Sequence, residues 1–216
     1  MTEFLWMWVR RNMITNTTQK DGSFGDFDFA HALEYLQLFP FLRWNVPPKT
    51  VHVSNILKTN LQRAERQLIV GSNAWELRLL MKLVFLEALE NHDLRMWQEK
   101  QVDAGIAPFK GKADFVFTAY QASFRFPYVI MCEAKKDNFE QGWGQCLMAT
   151  KAAHMMNEKQ DRKFDLFSIV SSGKIWEFGK YTTDNKFYKT DSYSLAQVDI
   201  ILGILHQIFT ECEANK

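Results

Sequence analysis

Apolar residues recur at helical spacing in several long stretches of the chain, and these stretches predict its helices. The clearest is AWELRLLMKLVFLEALENH (residues 74–92), whose leucines keep one helix face apolar. Asn73 or Ser72 is the candidate N-cap before this stretch, and Glu76 lies three residues after Asn73 in the capping-box position. The other predicted helices cover residues 1–20, 27–44 (with Pro40 expected to end the helix), 51–68, 138–159 and 194–214.

In other stretches apolar and polar residues alternate, or short apolar runs lie between turn residues, and these patterns predict strands. The predicted strands cover residues 95–102, 112–120, 128–136, 165–172, 174–182 and 186–190. The second and third strands are expected to form a hairpin around Ser123. The fourth and fifth are expected to turn at Ser172 and Gly173.

The order of these elements predicts the fold class. Strands alternate with long helices, and this order favours an α/β protein with a mixed central β-sheet flanked by helices. The first 70 residues contain only predicted helices and loops. We therefore expect an α-helical N-terminal extension over residues 1–70 and a single domain over residues 71–216, a size typical of one hydrophobic core.

Composition narrows the functional classes. The formal net charge of +1 argues against non-specific coating of nucleic acid, although a local basic patch fits it. The three cysteines are far apart, which disfavours disulfides or a zinc site and favours the reducing cytoplasm. The apolar stretch over residues 198–209 is shorter than the roughly 20 residues of a membrane span. The aromatic N-terminus lacks the basic leader of a signal peptide, so we expect no membrane association.

The stretch YVIMCEAKKD (residues 128–137) carries the candidate chemistry. A buried strand is expected to end in charged residues only where something uses them. Because strand side chains alternate between faces, Glu133 and Lys135 should project to one face and Ala134 to the other. If Asp114 lies on the neighbouring strand of the hairpin, its carboxylate approaches that of Glu133 across the ladder. Two carboxylates placed together repel each other, and a divalent cation removes that conflict.

Oxygen ligands favour Mg²⁺, with Mn²⁺ as the alternative. Such an ion polarises a phosphodiester and lowers the pKa of an attacking water. Lys135 beside it would stabilise the negative charge that grows on the phosphoryl oxygens, and would also help to orient or deprotonate the water. These residue types are the ones that phosphodiester hydrolysis needs.

The set Gly111-Lys112-Ala113-Asp114, followed by Glu133-Ala134-Lys135 at the end of the next apolar strand, resembles the PD-(D/E)XK nuclease superfamily, which has the restriction-endonuclease-like fold. It is similar to the nuclease domain of type I restriction motor subunits and to small stand-alone bacterial relatives. The resemblance covers roughly residues 70–182. One departure is Ala113, which stands where the motif is named for proline.

The resemblance implies a role for each matching residue. Asp114 and Glu133 would be the metal ligands, Lys135 the catalytic lysine, and Glu76 an accessory acid that touches a metal-bound water. Gln145 would contact the scissile phosphate or position water, with Gln141 as its rival. The basic residues Lys112 and Lys136, and with them Lys110 and Arg125, are candidates for contacts with nucleic-acid phosphates.

Each role has a structural alternative. In the structural alternative, Glu133 and Lys135 are simply charged residues at the solvent-exposed end of a strand, and Asp114 is a turn or strand-start residue. Glu76 fits helix capping as well as catalysis, and Glu87 and Glu90 compete with it on the same helix. The two glutamines share a helix face that solvent alone would explain. The five histidines show no metal-ligand spacing.

The sequence therefore predicts a Mg²⁺-dependent endonuclease that hydrolyses DNA, with RNA as an open alternative substrate. The rival hypothesis is a nuclease-fold module that has lost catalysis and binds nucleic acid or a protein. A third, less favoured hypothesis concerns the aromatic N-terminus, whose Phe4, Leu5, Trp6 and Trp8 would form a surface for homodimers or pack back on their own domain.

Overall fold

The computed structural model of the protein describes residues 22–47, 49–68, 73–125 and 127–214. Within these ranges the chain is an α/β structure in which five α-helices flank an eight-stranded mixed sheet. The predicted fold class is therefore confirmed. The predicted helix over residues 1–20 and the aromatic patch within it lie outside the described residues, so the dimer hypothesis stays a prediction.

The described elements follow the predicted order closely. The helices are α1 (Phe29–Tyr35), α2 (Asn55–Gln67), α3 (Ala74–Leu89), α4 (Phe139–Glu158) and α5 (Val198–Ala214). The strands are β1 (Leu42–Arg43), β2 (Leu94–Asp103), β3 (Lys110–Ala119), β4 (Tyr128–Ala134), β5 (Leu166–Ser171), β6 (Ile175–Tyr181), β7 (Phe187–Lys189) and β8 (Tyr193–Ser194). Two short 3₁₀ turns cover Phe24–Asp26 and Leu195–Gln197.

The sheet runs in the order β1-β7-β6-β5-β4-β3-β2, and β8 pairs with β6. The pairs β1–β7 and β4–β5 are parallel and the other pairs are antiparallel. Both predicted hairpins are present, as β3–β4 and as β5–β6. Strand β4 lies in the interior of the sheet and every one of its residues is buried, which explains its continuous apolar run.

Each face of the sheet has its own hydrophobic core. Helices α2, α3 and α5 cover one face, where Leu57, Phe85 and Phe209 belong to one cluster of buried residues. Helices α1 and α4 cover the other face, where Leu33 and Trp143 belong to a second cluster. On β4, Cys132 and Ala134 belong to the first cluster and Met131 to the second. Glu133 therefore projects to the α4 face, as the strand alternation predicted.

The clearest departure from the predicted elements lies between residues 36 and 44. The predicted helix over residues 27–44 ends at Tyr35, before Pro40, because Gln37 takes the left-handed φ of 56° and Leu38 donates its amide to the carbonyl of Leu33 at 2.8 Å. The chain then adds β1 to the sheet beside β7. Residues 22–68 thus contribute to the sheet and to both cores, whereas the boundary predicted at residue 70 stays a prediction.

Two further features concern the cysteines and the apolar C-terminal helix. All three cysteines are free and buried. Among the described helices one, Leu195–Ala214, is long and apolar enough to cross a membrane by length and composition alone, and 44% of its most apolar window is buried. Core helices pass the same test, so the expectation of no membrane span remains a prediction.

Candidate active site

Asp114 and Glu133 lie where the β3–β4 ladder ends. Phe115 pairs with Cys132 in this antiparallel register, and Asp114 and Glu133 are the residues that follow this pair on the two strands. The backbone amide of Ala134 donates to Asp114 Oδ2 at 2.8 Å and holds that carboxylate toward β4. The hairpin thus brings together the two acids that the sequence pattern singled out.

Glu133 is a buried acid with an incomplete set of partners. It is 4% exposed, and its Oε1 atom is buried without a hydrogen-bond partner among the described residues. Burial raises the pKa of Glu133 well above its ordinary value, and the charge of Asp114 raises it further, while Lys135 and Arg78 act in the opposite direction. The ionised form of this carboxyl therefore needs additional positive charge.

This donor set fits a hard divalent cation. Two carboxylates offer oxygen ligands, and the unpartnered Oε1 atom of Glu133 has unused acceptor capacity. Mg²⁺ keeps several of its own waters, so it often binds through only one or two carboxylates. In the part of the chain that the structure describes, no group of three or more His, Cys, Asp or Glu side chains is placed to hold a metal. Asp114 and Glu133 would therefore be the protein's contribution to the ion's coordination.

Lys135 follows β4 directly and stays attached to the sheet, because its amide donates to the carbonyl of Ser171 at 2.9 Å. Its aliphatic chain runs over Gly142 in the first turn of α4. A Cβ atom placed on Gly142 would lie 2.7 Å from Cγ of Lys135 and 2.9 Å from Cγ1 of Val170. The absence of a side chain at residue 142 therefore makes room for the stem of Lys135.

The two candidate glutamines have different surroundings. Gln145 lines the same cavity as Asp114 and Glu133, and its Oε1 atom is buried without a hydrogen-bond partner among the described residues. Gln141 turns away: its side-chain amide donates to the carbonyl of Gly25 at 2.7 Å and to that of Phe27 at 3.0 Å. Gln141 thus ties α4 to the segment before α1, and Gln145 is the glutamine that lies in the cavity.

The acids of α3 lie apart from this group. Glu76 is 7% exposed, and its backbone amide donates to Asn73 Oδ1 at 3.1 Å, so Asn73 is the N-cap of α3. Its carboxylate is not among the described groups that line the cavity. Glu87 accepts hydrogen bonds from the amide and the hydroxyl of Ser54, both at 2.8 Å, and so joins α3 to the start of α2. The accessory role of Glu76 stays a prediction.

Arg78 is a site residue that the sequence pattern did not reveal. From α3 its Nε atom donates to Asp114 Oδ1 at 3.0 Å, and its Nη2 atom bonds the same oxygen. Its Nη1 atom lies 3.3 Å from Glu99 Oε1 on β2. The sequence signal was one arginine among several charged residues of this helix, which does not distinguish a site residue from a surface charge.

Glu99 is the second residue that sequence reasoning missed. Its φ is 51°, a left-handed conformation that costs a non-glycine residue about 1–2 kcal/mol. The neighbouring pairs Gln98–Phe115 and Lys100–Ala113 are intact, so the register sets Glu99 beside Asp114. Its Oε2 atom lies 3.2 Å from Nζ of Lys112. A row of three acids therefore crosses β2, β3 and β4, with cations between and beside them.

These groups surround one open cavity of about 460 Å³. Its lining consists of Asn73, Leu77, Arg78, Glu99, Lys112, Asp114, Glu133, Ala134, Lys135, Lys136 and Gln145. Four cations and three acids thus share the lining. Of the candidates for phosphate contacts, Lys112 and Lys136 lie here, whereas Lys110 and Arg125 are not part of the described lining.

No protein-family model matches this chain, and no curated protein is significantly similar to it.

Proposed function

We propose that this protein is a Mg²⁺-dependent endonuclease of the PD-(D/E)XK type that hydrolyses DNA phosphodiester bonds at the Asp114–Glu133–Lys135 cavity. The observation that carries the proposal is that Asp114, Glu133 and Lys135 line one cavity, in which a buried oxygen of Glu133 has no hydrogen-bond partner among the described residues. A purely structural pair of buried acids would be expected to have its oxygens satisfied within the protein.

The residues of the cavity divide the chemistry among them. Asp114 and Glu133 would hold the Mg²⁺ ion, which would supply a Lewis acid for the phosphodiester and a lower pKa for the attacking water. Lys135 places a positive charge where negative charge develops on the phosphoryl oxygens. Gln145, whose Oε1 atom has no protein partner among the described residues, accepts a hydrogen bond from the attacking water and orients it. Lys112 and Lys136 contact the flanking phosphates.

The test compares the wild-type protein with Lys135→Ala on plasmid DNA, single-stranded DNA and RNA, in Mg²⁺ or Mn²⁺. Loss of an electrostatic group that acts on the transition state typically costs 10²–10³ in rate, so we expect about a hundredfold slower nicking. Lys58→Ala is the matched control, because Lys58 is an exposed lysine on α2 whose removal changes the net charge equally. Identical nicking by the wild type and Lys135→Ala would refute the assignment.

A second candidate function is a nuclease-fold module without catalysis. It is favoured by the ion pair of Arg78 with Asp114, since both oxygens of Asp114 already have partners in Arg78 and the amide of Ala134. Calorimetry with Mn²⁺ separates the two functions. A catalytic site should release or absorb heat that Asp114→Asn abolishes, whereas a wild type that shows no metal-dependent heat would favour the binding module.

A further inference from the structure

Glu99 has a backbone conformation that its position in a strand does not explain. Four non-glycine residues in the described ranges have positive φ, namely Gln37, Glu99, Asp161 and Asn185. Three of them lie in turns, and only Glu99 lies inside a strand. Glutamate has no short side chain that would bond locally to its own backbone and ease this conformation, unlike Asn or Asp. The conformation is therefore maintained by the surroundings of Glu99.

In this conformation the carboxylate of Glu99 bridges two cations. The carboxylate of Glu99 lies 3.3 Å from Nη1 of Arg78 through one oxygen and 3.2 Å from Nζ of Lys112 through the other. The side chain of Glu99 is 45% exposed and that of Lys112 is 57% exposed. Exposed ion pairs of this kind stabilise a protein little, so they do not offset the strain at Glu99. Strained residues are typical of functional sites, and the location of this bridge in the candidate active site fits that pattern.

We propose that Glu99 occupies the place of a nucleic-acid phosphate, holding Arg78 and Lys112 in a phosphate-binding arrangement until the backbone of the substrate displaces it. This inference rests on the proposed function for the identity of the ligand. A carboxylate and a phosphodiester each carry one negative charge, and a guanidinium group binds both through similar pairs of hydrogen bonds. Arg78 keeps its contact with Asp114 through Nε and Nη2, so only Nη1 has to exchange its partner.

The charge of Glu99 consequently opposes binding. Each phosphate that binds Arg78 or Lys112 must displace the carboxylate of Glu99. This competition weakens the affinity for any nucleic acid that does not place a phosphate within reach of these two cations. Removal of the carboxylate should free both cations. Binding should then tighten, and its dependence on salt should become steeper, because every additional phosphate contact releases counterions.

The experiment measures binding of a fluorescein-labelled DNA duplex by fluorescence anisotropy, in EDTA and over a series of NaCl concentrations. We expect Glu99→Gln to bind about tenfold more tightly at low salt. The slope of log affinity against log salt should steepen by roughly 0.9 for one new phosphate contact, or by roughly twice that value for two. Glu99→Gly removes the same carboxylate and suits the positive φ, so it should show the same steepening even if Glu99→Gln folds poorly.

The control is Glu65→Gln on α2, an exposed glutamate that is not part of the described lining of the cavity and whose loss changes the net charge equally. An unchanged or shallower slope in both Glu99 variants would overturn the inference. So would an equal steepening in Glu65→Gln, and so would the absence of binding by every variant. The nuclease assay is read separately: steepening without cleavage would support this inference and refute the nuclease, and cleavage with an unchanged slope would do the reverse.

Discussion

The substitution Gly142→Ala offers the sharpest test of the position of Lys135, because the added methyl group would displace the lysine side chain without replacing it. A Cβ atom at Gly142 would lie 2.7 Å from Cγ of Lys135. Non-bonded carbons settle about 3.5–4.0 Å apart, so Gly142→Ala should push the stem of Lys135 away by about 1 Å. Cγ lies near the backbone end of the side chain, and its displacement carries Nζ with it. A misplacement of about 1 Å can cost a factor of about 10² in rate.

The same substitution should affect stability much less than activity. Overpacking against Lys135 and Val170 costs about 1–3 kcal/mol. Alanine is favoured over glycine inside a helix by about 0.8–1.0 kcal/mol, which offsets part of that cost. We therefore expect a net loss of about 0–2 kcal/mol in the free energy of unfolding, and the variant should remain folded while its nicking rate falls about a hundredfold.

Single-turnover nicking of plasmid DNA and urea denaturation are the two measurements. The control is the same substitution in the Lys135→Ala background. If Gly142→Ala acts through Lys135, it should slow that background no further, since two changes to one interaction are not additive. Wild-type rates in Gly142→Ala would refute the reasoning, and so would another hundredfold loss in the Lys135→Ala background.

Two predictions concern stability. Glu177 accepts hydrogen bonds from Trp143 Nε1 and Ser192 Oγ, both at 2.5 Å, and pairs with Lys189 at 2.8 Å. Burial raises its pKa, but the bonds from Lys189, Ser192 and Trp143 together outweigh burial and lower it. Since a lowered pKa stabilises the fold above the ordinary glutamate value of about 4.3, Glu177→Gln should cost about 1–3 kcal/mol at pH 7 in urea denaturation. The difference from the wild type should shrink as the pH falls below about 4.3 through the lowered pKa, and a difference that stayed constant would contradict this account. Gly144→Ala would place a Cβ atom 2.1 Å from the carbonyl oxygen of Phe27, so it should lower the free energy of unfolding by about 3 kcal/mol or more. An unchanged midpoint of urea denaturation would show that residues 24–29 do not pack on α4 as described.

The long elements were predictable because their signals are local. Residues 74–92 and 138–159 carry a helical period over several turns, and the observed α3 and α4 agree within a few residues. The hairpin of β3 and β4 followed from two apolar strands joined by a short loop. From that hairpin and the alternation of strand side chains, the approach of Asp114 to Glu133 could be predicted, and both acids line the same cavity.

Other features had no local signal. Strand β1 has two residues, too few to show a period, and its partner β7 lies more than 140 residues along the chain. The sequence pattern predicted a helix that continues to residue 44. The observed helix α1 ends at Tyr35, because Gln37 adopts a left-handed backbone conformation. Gln141 and Gln145 share a helix face in sequence, and only the packing of residues 24–28 against α4 gave Gln141 structural partners and left Gln145 in the cavity.

The sequence by itself determined the α/β class, the order of the elements and the acids that meet across one hairpin, because periodicity and near-neighbour pairing depend on residues close in the chain. Tertiary structure alone decided the charge balance around those acids. Arg78 reaches Asp114 from a different layer of the fold, and Glu99 reaches Arg78 from the edge strand. The physical reason is that electrostatic energies depend on distance in space and on burial, and neither quantity is written in the spacing of residues along a chain.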